Sequence, residues 1–236
     1  MNERIAKFKN KEKYTTEDIA ELVEILRSEL GCAWDREQTQ QSIRSGIIEE
    51  TYEFIEGLDT NDNELMCEEL GDVLFQIFFH AQIAKENKNF SINDVADGIC
   101  KKMVLRHPHV FGDIKVKDSA EVLKNWDDIK KNEKSREGLE KQLHSVSKAL
   151  PSLIRSEKLL SRYKKEGGYV EKDCTKLVQQ LKDKVNSLED SINENNIGEL
   201  LFLVANICYA SDINSDEALY RENERYITEK VKEMKL

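Results

Sequence analysis

Two short groups of acidic residues in this sequence have a spacing that could support chemistry. In chain order their members are Glu49, Glu50, Glu53, Glu68, Glu69 and Asp72. Each group contains two carboxylates with helical i, i+3 spacing, so that both project from one face of a helix. If the two helices pack side by side, four carboxylates converge, and they repel one another unless a cation lies between them.

A metal ion is one of two explanations for this pattern, because acidic helix faces are often simply solvated. The sequence after Asp72 is apolar on nearly every helix face, which is typical of a helix at the centre of a bundle. Asp72 shares a face with Phe75 and Phe79, so we expect it to point into packed structure. Between Gln40 and Gln82 the only lysine or arginine is Arg44. Ligation by oxygen alone favours Mg²⁺, which Mn²⁺ could replace, over zinc.

The composition predicts an all-α fold. The chain has 236 residues with only two prolines and ten glycines, too few for the many turns of a β protein. We expect two tandem helical bundles, residues 1–135 and 145–236, joined through a polar segment at 132–144. The predicted helices cover residues 16–30, capped at Thr15, and 41–58, 64–86, 91–107, 119–134, 152–166, 177–192, 197–210 and 216 onward. Residues 31–39 are predicted to form a loop.

An internal similarity suggests that the two bundles are related. Residues 71–75 read Gly-Asp-Val-Leu-Phe, and residues 198–202 read Gly-Glu-Leu-Leu-Phe. A helix precedes each segment and a turn with a further helix follows it. Short matches in helical sequence can arise by chance, but the shared order of elements favours a duplicated helical unit.

Charge and cysteine content restrict the partners and the compartment. The net charge is −10 and no basic patch stands out, so we expect no nucleic-acid polymer as a partner. A small anionic substrate remains compatible, because cations can bridge carboxylates and phosphates. The five cysteines are widely spaced, which predicts reduced thiols. We also expect no signal peptide, no membrane association and a cytoplasmic location.

Four motifs together resemble the MazG family of nucleoside triphosphate pyrophosphohydrolases. They are Gly-Cys-Ala-Trp-Asp at 31–35, Glu-Glu-Thr-Tyr-Glu at 49–53, Glu-Glu-Leu-Gly-Asp at 68–72 and Arg-His-Pro-His-Val-Phe-Gly at 106–112. The resemblance is strong over residues 15–135 and weaker beyond. It implies hydrolysis between the α and β phosphates of a nucleoside triphosphate, and a homodimer.

The resemblance also implies roles for individual residues. The magnesium ligands would be Glu50, Glu53, Glu69 and Asp72, while Glu49 and Glu68 would orient water or the ligands. Trp34, Asp35 and Trp126 would contact the nucleoside, although each tryptophan could equally serve helix packing. Lys102 and Arg106 would contact phosphate, unless they only solvate a helix end. No glycine-rich phosphate loop is present in the sequence, so the metal would carry that role.

The second unit departs from the family pattern. Residues 186–190 read Asn-Ser-Leu-Glu-Asp and residues 195–199 read Asn-Asn-Ile-Gly-Glu, which leaves at most Asp190 and Glu199 of four ligands. We therefore expect a degenerate MazG-like domain at 145–236, with the activity in the N-terminal domain. The alternative is a weakly active or inactive protein that binds nucleotide in a regulatory or scaffold role.

Overall fold

Every regular element of the described residues is a helix, which confirms the all-α prediction. The computed structural model describes residues 2–134, 138–188 and 191–234. The helices are α1 (Asn2–Lys9), α2 (Thr16–Leu26), α3 (Ala33–Glu37), α4 (Gly46–Thr60), α5 (Asn63–Glu86), α6 (Ile92–Arg106), α7 (Pro108–Phe111), α8 (Ser119–Lys134), α9 (Leu139–His144), α10 (Ser152–Lys165), α11 (Cys174–Ser187), α12 (Glu194–Ala210) and α13 (Ser215–Glu233). In these ranges no helix combines the length and apolar character needed to cross a membrane.

The chain divides into two compact units, Met1–Asp127 and Asp128–Leu236, which we call unit 1 and unit 2. The division falls inside α8, whereas the sequence predicts a linker at 132–144. Within that segment, Leu139–His144 forms the short helix α9. This helix is packed onto α10, because Gln142 of α9 is only 2% exposed and accepts a hydrogen bond from Arg162 on α10.

Helix α5 forms the centre of unit 1. It packs against α4, α2 and α6. Phe79 and Ile83 of α5 are buried with Val23 of α2 and Ile43, and further apolar side chains of α2 and α5 cover this cluster. Burial of such side chains contributes roughly 1.5–3 kcal/mol each. The core therefore fixes α5, the helix that carries the second acidic group.

The α4–α5 hairpin positions the two acidic groups. Helix α4 ends at Thr60, and the next residue, Asn61, adopts a left-handed conformation with φ of 55°. The carboxylate of Asp62 then caps α5 by accepting from the backbone N–H groups of Glu64 and Leu65. Two residues thus reverse the chain. The two helices run antiparallel and in direct contact, so that Glu50 and Glu69 come to face each other.

Several predicted boundaries are confirmed and others are wrong. The cap at Thr15 is present, since its N–H donates to the Asp18 carboxylate over 2.8 Å. However, α2 ends at Leu26 and not at residue 30, because the backbone N–H of Cys32 turns back to the Leu26 carbonyl. The predicted loop at 31–39 contains α3. Helix α11 ends at Ser187, five residues before its predicted end.

Unit 2 is built around α12, which packs against α10, α11 and α13. Its most deeply buried apolar residues are Leu177 of α11 and Ala205 of α12, both 0% exposed, and Leu160 of α10 is also buried. Helix α13 is fixed at its start, because the backbone N–H of Ser215 donates to the Glu157 carboxylate over 2.8 Å. Unit 2 thus has the same order of packed helices around a central apolar helix as unit 1.

Candidate metal centre

Three carboxylates of the α4–α5 hairpin converge on one point. Glu50 projects from α4, and Glu69 and Asp72 project from one face of α5. One oxygen from each of the three carboxylates lies within 4.8 Å of the other two. Like charges at such separations repel strongly unless they are compensated. The spacing identified in the sequence is therefore realised as a cluster in space.

Glu69 is the buried member of this cluster. Glu69 is only 6% exposed, and its Oε2 atom is buried without a hydrogen-bond partner. Burial raises the pKa of the Glu69 carboxyl, and the charges of Glu53, Asp72 and Glu50 raise it further. A buried carboxylate oxygen without a partner is costly in a folded protein and calls for a cation or a proton.

Glu50 has a similar but milder environment. Its residue is half-buried, and its pKa is raised first by desolvation and then by the charges of Asp72 and Glu53. The expectation that Asp72 points into packed structure is wrong, because Asp72 is exposed and Glu69 is the carboxylate that packing covers. The covered position lies one helical turn earlier on α5, at Glu69.

The donor set fits a hard divalent cation. All three converging groups are carboxylates, the ligands that Mg²⁺ and Mn²⁺ prefer. Oxygens bound to Mg²⁺ at about 2.1 Å lie about 3–4 Å apart, so carboxylates already within 4.8 Å need only small side-chain adjustments. A cation here would give the orphan Oε2 of Glu69 a partner and would cancel the repulsion within the cluster.

The remaining acidic candidates lie around the cluster. Glu53 is exposed on α4 and lies outside the group of three, yet its charge acts on both Glu50 and Glu69. Glu49 and Glu68 are exposed, and each of them makes the smallest contribution to the raised pKa of its neighbour. These positions suit groups that act from the edge of the site.

The segment with Trp34 and Asp35 is held by Arg27, a residue that no sequence motif indicates. Arg27 is nearly buried, and its guanidinium donates to the backbone carbonyls of Asp35 and Gln38. It also forms a two-pronged ion pair with Glu86 at the end of α5, with distances of 3.0 and 2.7 Å. No local pattern could reveal this anchor, since Arg27 and Glu86 are 59 residues apart.

The two candidates of this segment differ in exposure. Trp34 is 63% exposed, whereas Asp35 is half-buried and its backbone carbonyl is engaged by Arg27. An exposed indole on a well-anchored segment is available to a planar ligand. Arg27 also packs against the buried core, because its guanidinium lies 5.3 Å from the centre of the Phe79 ring.

A second cluster in unit 1 contains Arg106, His107 and Trp126. The guanidinium of Arg106 lies 5.7 Å from the Trp126 ring centre, and His107 meets the same ring edge-on at 4.9 Å. The Nδ1 atom of His107 contacts the carbonyl oxygen of Met103 at 2.6 Å. Lys102 is exposed on the same helix, one turn before Arg106. The structure thus packs Trp126 against Arg106, a contact that favours the packing explanation for this tryptophan.

Comparison with known proteins identifies the family of this chain. The fold and the site define an all-helical protein with three converging carboxylates in one helical hairpin. Residues 38–111 match the family described as the MazG nucleotide pyrophosphohydrolase domain, a range that includes both acidic motifs. The chain belongs to the MazG family, as the four motifs predicted.

Individual relatives support this assignment. The chain is 33% identical over 222 residues to the nucleoside triphosphate pyrophosphohydrolase/pyrophosphatase MazG of Thermotoga maritima, covering 92% of this chain and 84% of the relative. It is 33% identical over 206 residues to the nucleoside triphosphate pyrophosphohydrolase of Escherichia coli K12, covering 84% and 78%. It is 50% identical over 138 residues to the uncharacterised protein YabN of Bacillus subtilis, covering 58% of this chain but only 28% of that longer protein.

Proposed function

We propose that this chain hydrolyses ribo- or deoxyribonucleoside triphosphates between the α and β phosphates, giving a nucleoside monophosphate and pyrophosphate. Membership of the MazG family supplies the enzyme class, a nucleoside triphosphate pyrophosphohydrolase. The observation that carries the proposal for the site is the convergence of Glu50, Glu69 and Asp72 around a buried Glu69 oxygen without a partner. The activity is assigned to unit 1.

The proposed ion is Mg²⁺, which Mn²⁺ could replace, with Glu50, Glu53, Glu69 and Asp72 as the residues that hold it. When bound, the ion supplies positive charge that activates water and stabilises the triphosphate and the leaving pyrophosphate. Glu50 and Glu69 must be deprotonated to bind the ion. Their raised pKa values favour the protonated form, so the ion competes with protons for these two side chains. Glu49 and Glu68, exposed beside the ligands, are proposed to orient the attacking water.

The nucleotide is proposed to reach the site from the side of the anchored segment. Trp34 would stack on the base, because it offers an exposed aromatic face. Asp35, the next residue, would contact the nucleoside. Lys102 and Arg106 would contact the phosphates. Trp126, which packs against Arg106, is proposed to hold that guanidinium in position for the nucleotide.

A homodimer is the proposed assembly, and an exposed apolar stripe on α4 supports it. Ile48, Tyr52 and Ile55 are 45%, 51% and 40% exposed and follow one another at helical spacing on the helix that carries Glu50. Sedimentation of the wild-type chain should give the mass of a dimer, and Tyr52→Arg should shift it toward the monomer. A wild-type monomer at micromolar concentration would contradict this part of the proposal.

The activity is tested with purified wild type, the Glu50→Gln/Asp72→Asn double variant and a matched control. The control is Glu224→Gln/Glu229→Gln, which removes the same number of charges from exposed positions of α13. Each protein is incubated with every common ribo- and deoxyribonucleoside triphosphate plus Mg²⁺, and the products are separated by chromatography. We expect monophosphate and pyrophosphate from wild type and control, and none from the double variant.

Other product patterns would change the conclusion. Diphosphate with orthophosphate would mean that a different bond is cut. Turnover that survives in the double variant would move the site away from the α4–α5 hairpin. Tight nucleotide binding without turnover would favour the alternative of a regulatory or scaffold protein.

A further inference from the structure

Unit 2 contains a hairpin that corresponds to the hairpin of the metal centre. In unit 1, α2 and α4 both pack against α5, and in unit 2, α10 and α11 both pack against α12. Aligning residues 71–75 with 198–202 places Asn196 at the position of Glu69 and Glu199 at the position of Asp72. The corresponding residues can therefore be compared one by one.

A lysine side chain lies between these two positions in unit 2. The Lys184 ammonium group on α11 donates to the Asn196 side-chain oxygen over 3.0 Å and pairs with the Glu199 carboxylate. The Lys184 side chain is only 18% exposed, although Glu199 is 65% exposed. The ammonium thus contacts the residues that correspond to the buried and the exposed α5 ligands of unit 1.

The surroundings orient Asn196 toward this lysine. The Asn196 side-chain nitrogen donates to the Ser191 carbonyl over 2.9 Å, and its backbone N–H donates to the Asn193 side chain over 3.0 Å. Its side-chain oxygen is therefore the atom turned to the Lys184 ammonium. Ser187, which corresponds to Glu50, donates its hydroxyl to the Lys184 carbonyl over 2.7 Å. The α11–α12 end thus has no carboxylate at the Glu50 and Glu69 positions.

We propose that Lys184 is a built-in cation that takes the place of the metal ion in unit 2. This inference goes beyond the proposed function and rests on it in one respect, because it compares Lys184 with the metal centre proposed for unit 1. The ammonium pairs with Glu199, so the carboxylate at the Asp72 position is balanced without a divalent ion. Among the described residues, a group of three converging acidic side chains occurs only in unit 1. Asp190, which corresponds to Glu53, is not among the described residues.

The replacement is chemically consistent. Loss of the carboxylates at the Glu50 and Glu69 positions removes the charge that would hold Mg²⁺, and an amide oxygen remains a good acceptor for an ammonium group. A tethered lysine is present at every concentration of metal, whereas an ion must be bound from solution. Lys184 supplies three hydrogen-bond donors but does not activate water as a metal ion does. Unit 2 would therefore keep the shape of the hairpin without its chemistry.

Manganese binding tests the inference in a chain whose unit 1 site is disabled. Glu50→Gln/Asp72→Asn forms the background, and free Mn²⁺ is measured by electron paramagnetic resonance. Adding Asn196→Glu alone should create no tight site, because Lys184 still neutralises the position. Adding Lys184→Ser together with Asn196→Glu should strengthen Mn²⁺ binding at least about 10-fold over Asn196→Glu alone, the lower end of what groups supporting a metal site contribute. Equal Mn²⁺ binding with and without Lys184 would overturn the inference.

Thermal unfolding in EDTA gives a second, independent measurement in the otherwise unchanged chain. Lys184→Met should lower the Tm by about 2 °C, and Lys184→Arg should restore most of it, because the guanidinium also supplies a cation. Lys182→Met, at an exposed position of the same helix, is the control and should leave the Tm nearly unchanged. Identical Tm values for Lys184→Met and wild type would overturn the inference.

Failure of this inference and failure of the proposed function give different results. If unit 1 holds no metal, wild type and the Glu50→Gln/Asp72→Asn chain bind Mn²⁺ equally, whatever the Lys184 variants do. If only the inference is wrong, wild type loses its Mn²⁺ site in the double variant as expected, and the Lys184 substitutions have no effect.

Discussion

Glu69 and Asp72 lie one turn apart on the same face of α5, but only Glu69 is buried. Glu69 is 6% exposed with one carboxylate oxygen lacking a partner, while Asp72 is open to solvent. The apolar residues after Asp72 suggested the opposite arrangement. Both carboxylates lie close to Glu50 in the α4–α5 hairpin, so their spacing in the sequence does not show which of them is buried. Burial therefore concentrates the unfavourable charge on one ligand of the proposed metal centre.

This relationship predicts opposite effects of Glu69→Gln with and without metal. In EDTA at neutral pH the variant should have a higher Tm than wild type, because it removes a buried charge that has no partner. With Mg²⁺, wild type should gain stability while the variant gains none. Glu69→Gln should also lower the affinity for the metal. The loss should exceed about 10–100-fold, the range typical of groups that only support a ligand.

Glu64→Gln is the matched control for this experiment, since Glu64 is exposed on the same helix. Its Mg²⁺-induced rise in Tm should equal that of wild type. A Glu69→Gln protein that Mg²⁺ stabilises as much as wild type would remove Glu69 from the ligand set.

The raised pKa values of Glu50 and Glu69 predict a pH dependence of stability in the metal-free protein. Because the folded state holds these protons more tightly than the unfolded chain, their stabilising contribution is complete below the unfolded pKa, about 4.3. It is lost as the pH rises through the raised folded-state pKa values. Stabilisation by Mg²⁺ should grow over the same interval, since the ion competes with protons.

The difference in Tm between wild type and Glu50→Gln/Glu69→Gln isolates these two groups from all other titrations. Measured in EDTA from pH 4 upward, this difference should turn against wild type as the pH rises above about 4.3. A pH-independent difference would show that the two carboxyls titrate normally in the folded protein.

The sequence could predict what depends on local spacing. The paired carboxylates, the cap at Thr15 and the apolar character of α5 all follow from residues within two helical turns of one another. Which carboxylate is buried depends on the contact between two helices. The Arg27–Glu86 ion pair and the lysine that meets Asn196 depend on side chains brought together by folding, so no local pattern indicates them.

Arg27 should be essential for the conformation of the segment that carries Trp34. Arg27→Met removes the hydrogen bonds to the carbonyls of Asp35 and Gln38 and the ion pair with Glu86. We expect a loss of about 2 kcal/mol in the free energy of unfolding, a value reduced because Glu86 is partly exposed and can be hydrated. Urea unfolding measures it.

Arg36→Met is the matched control, because Arg36 is an exposed arginine of the same segment with one hydrogen bond to the Glu29 carbonyl. Its effect should stay within about 0.5 kcal/mol. Comparable losses for the two variants would contradict the anchoring role of Arg27.

The two tryptophans should respond differently to nucleotide. In Trp126→Phe the remaining Trp34 is 63% exposed, so binding of a nucleoside monophosphate with Mg²⁺ should quench its fluorescence and shift its emission to shorter wavelength. In Trp34→Phe the remaining Trp126 is already packed by His107 and Arg106 and should change little. A response from Trp126 alone would exchange the roles proposed for the two residues.

Gly57 allows α4 and α5 to approach each other closely in the hairpin. A Cβ atom there would lie 2.9 Å from Cγ of Met66 and 3.0 Å from its backbone nitrogen, and the backbone cannot rotate away. Gly57→Ala should therefore destabilise the protein by about 1–2 kcal/mol, although alanine favours helix by about 1 kcal/mol. Gly98→Ala on α6 meets nothing within 4 Å and should stabilise by about 1 kcal/mol.

The same substitution should weaken metal binding without touching a ligand. If the helices move apart at Gly57, the distance between Glu50 on α4 and Glu69 on α5 increases, and the carboxylates no longer converge. We expect Gly57→Ala to lower Mn²⁺ affinity severalfold in electron paramagnetic resonance titrations, while Gly98→Ala retains wild-type affinity. If Gly57→Ala lost stability but bound Mn²⁺ as wild type does, the hairpin spacing would not control the site, and the carboxylates would have to adjust independently of their helices.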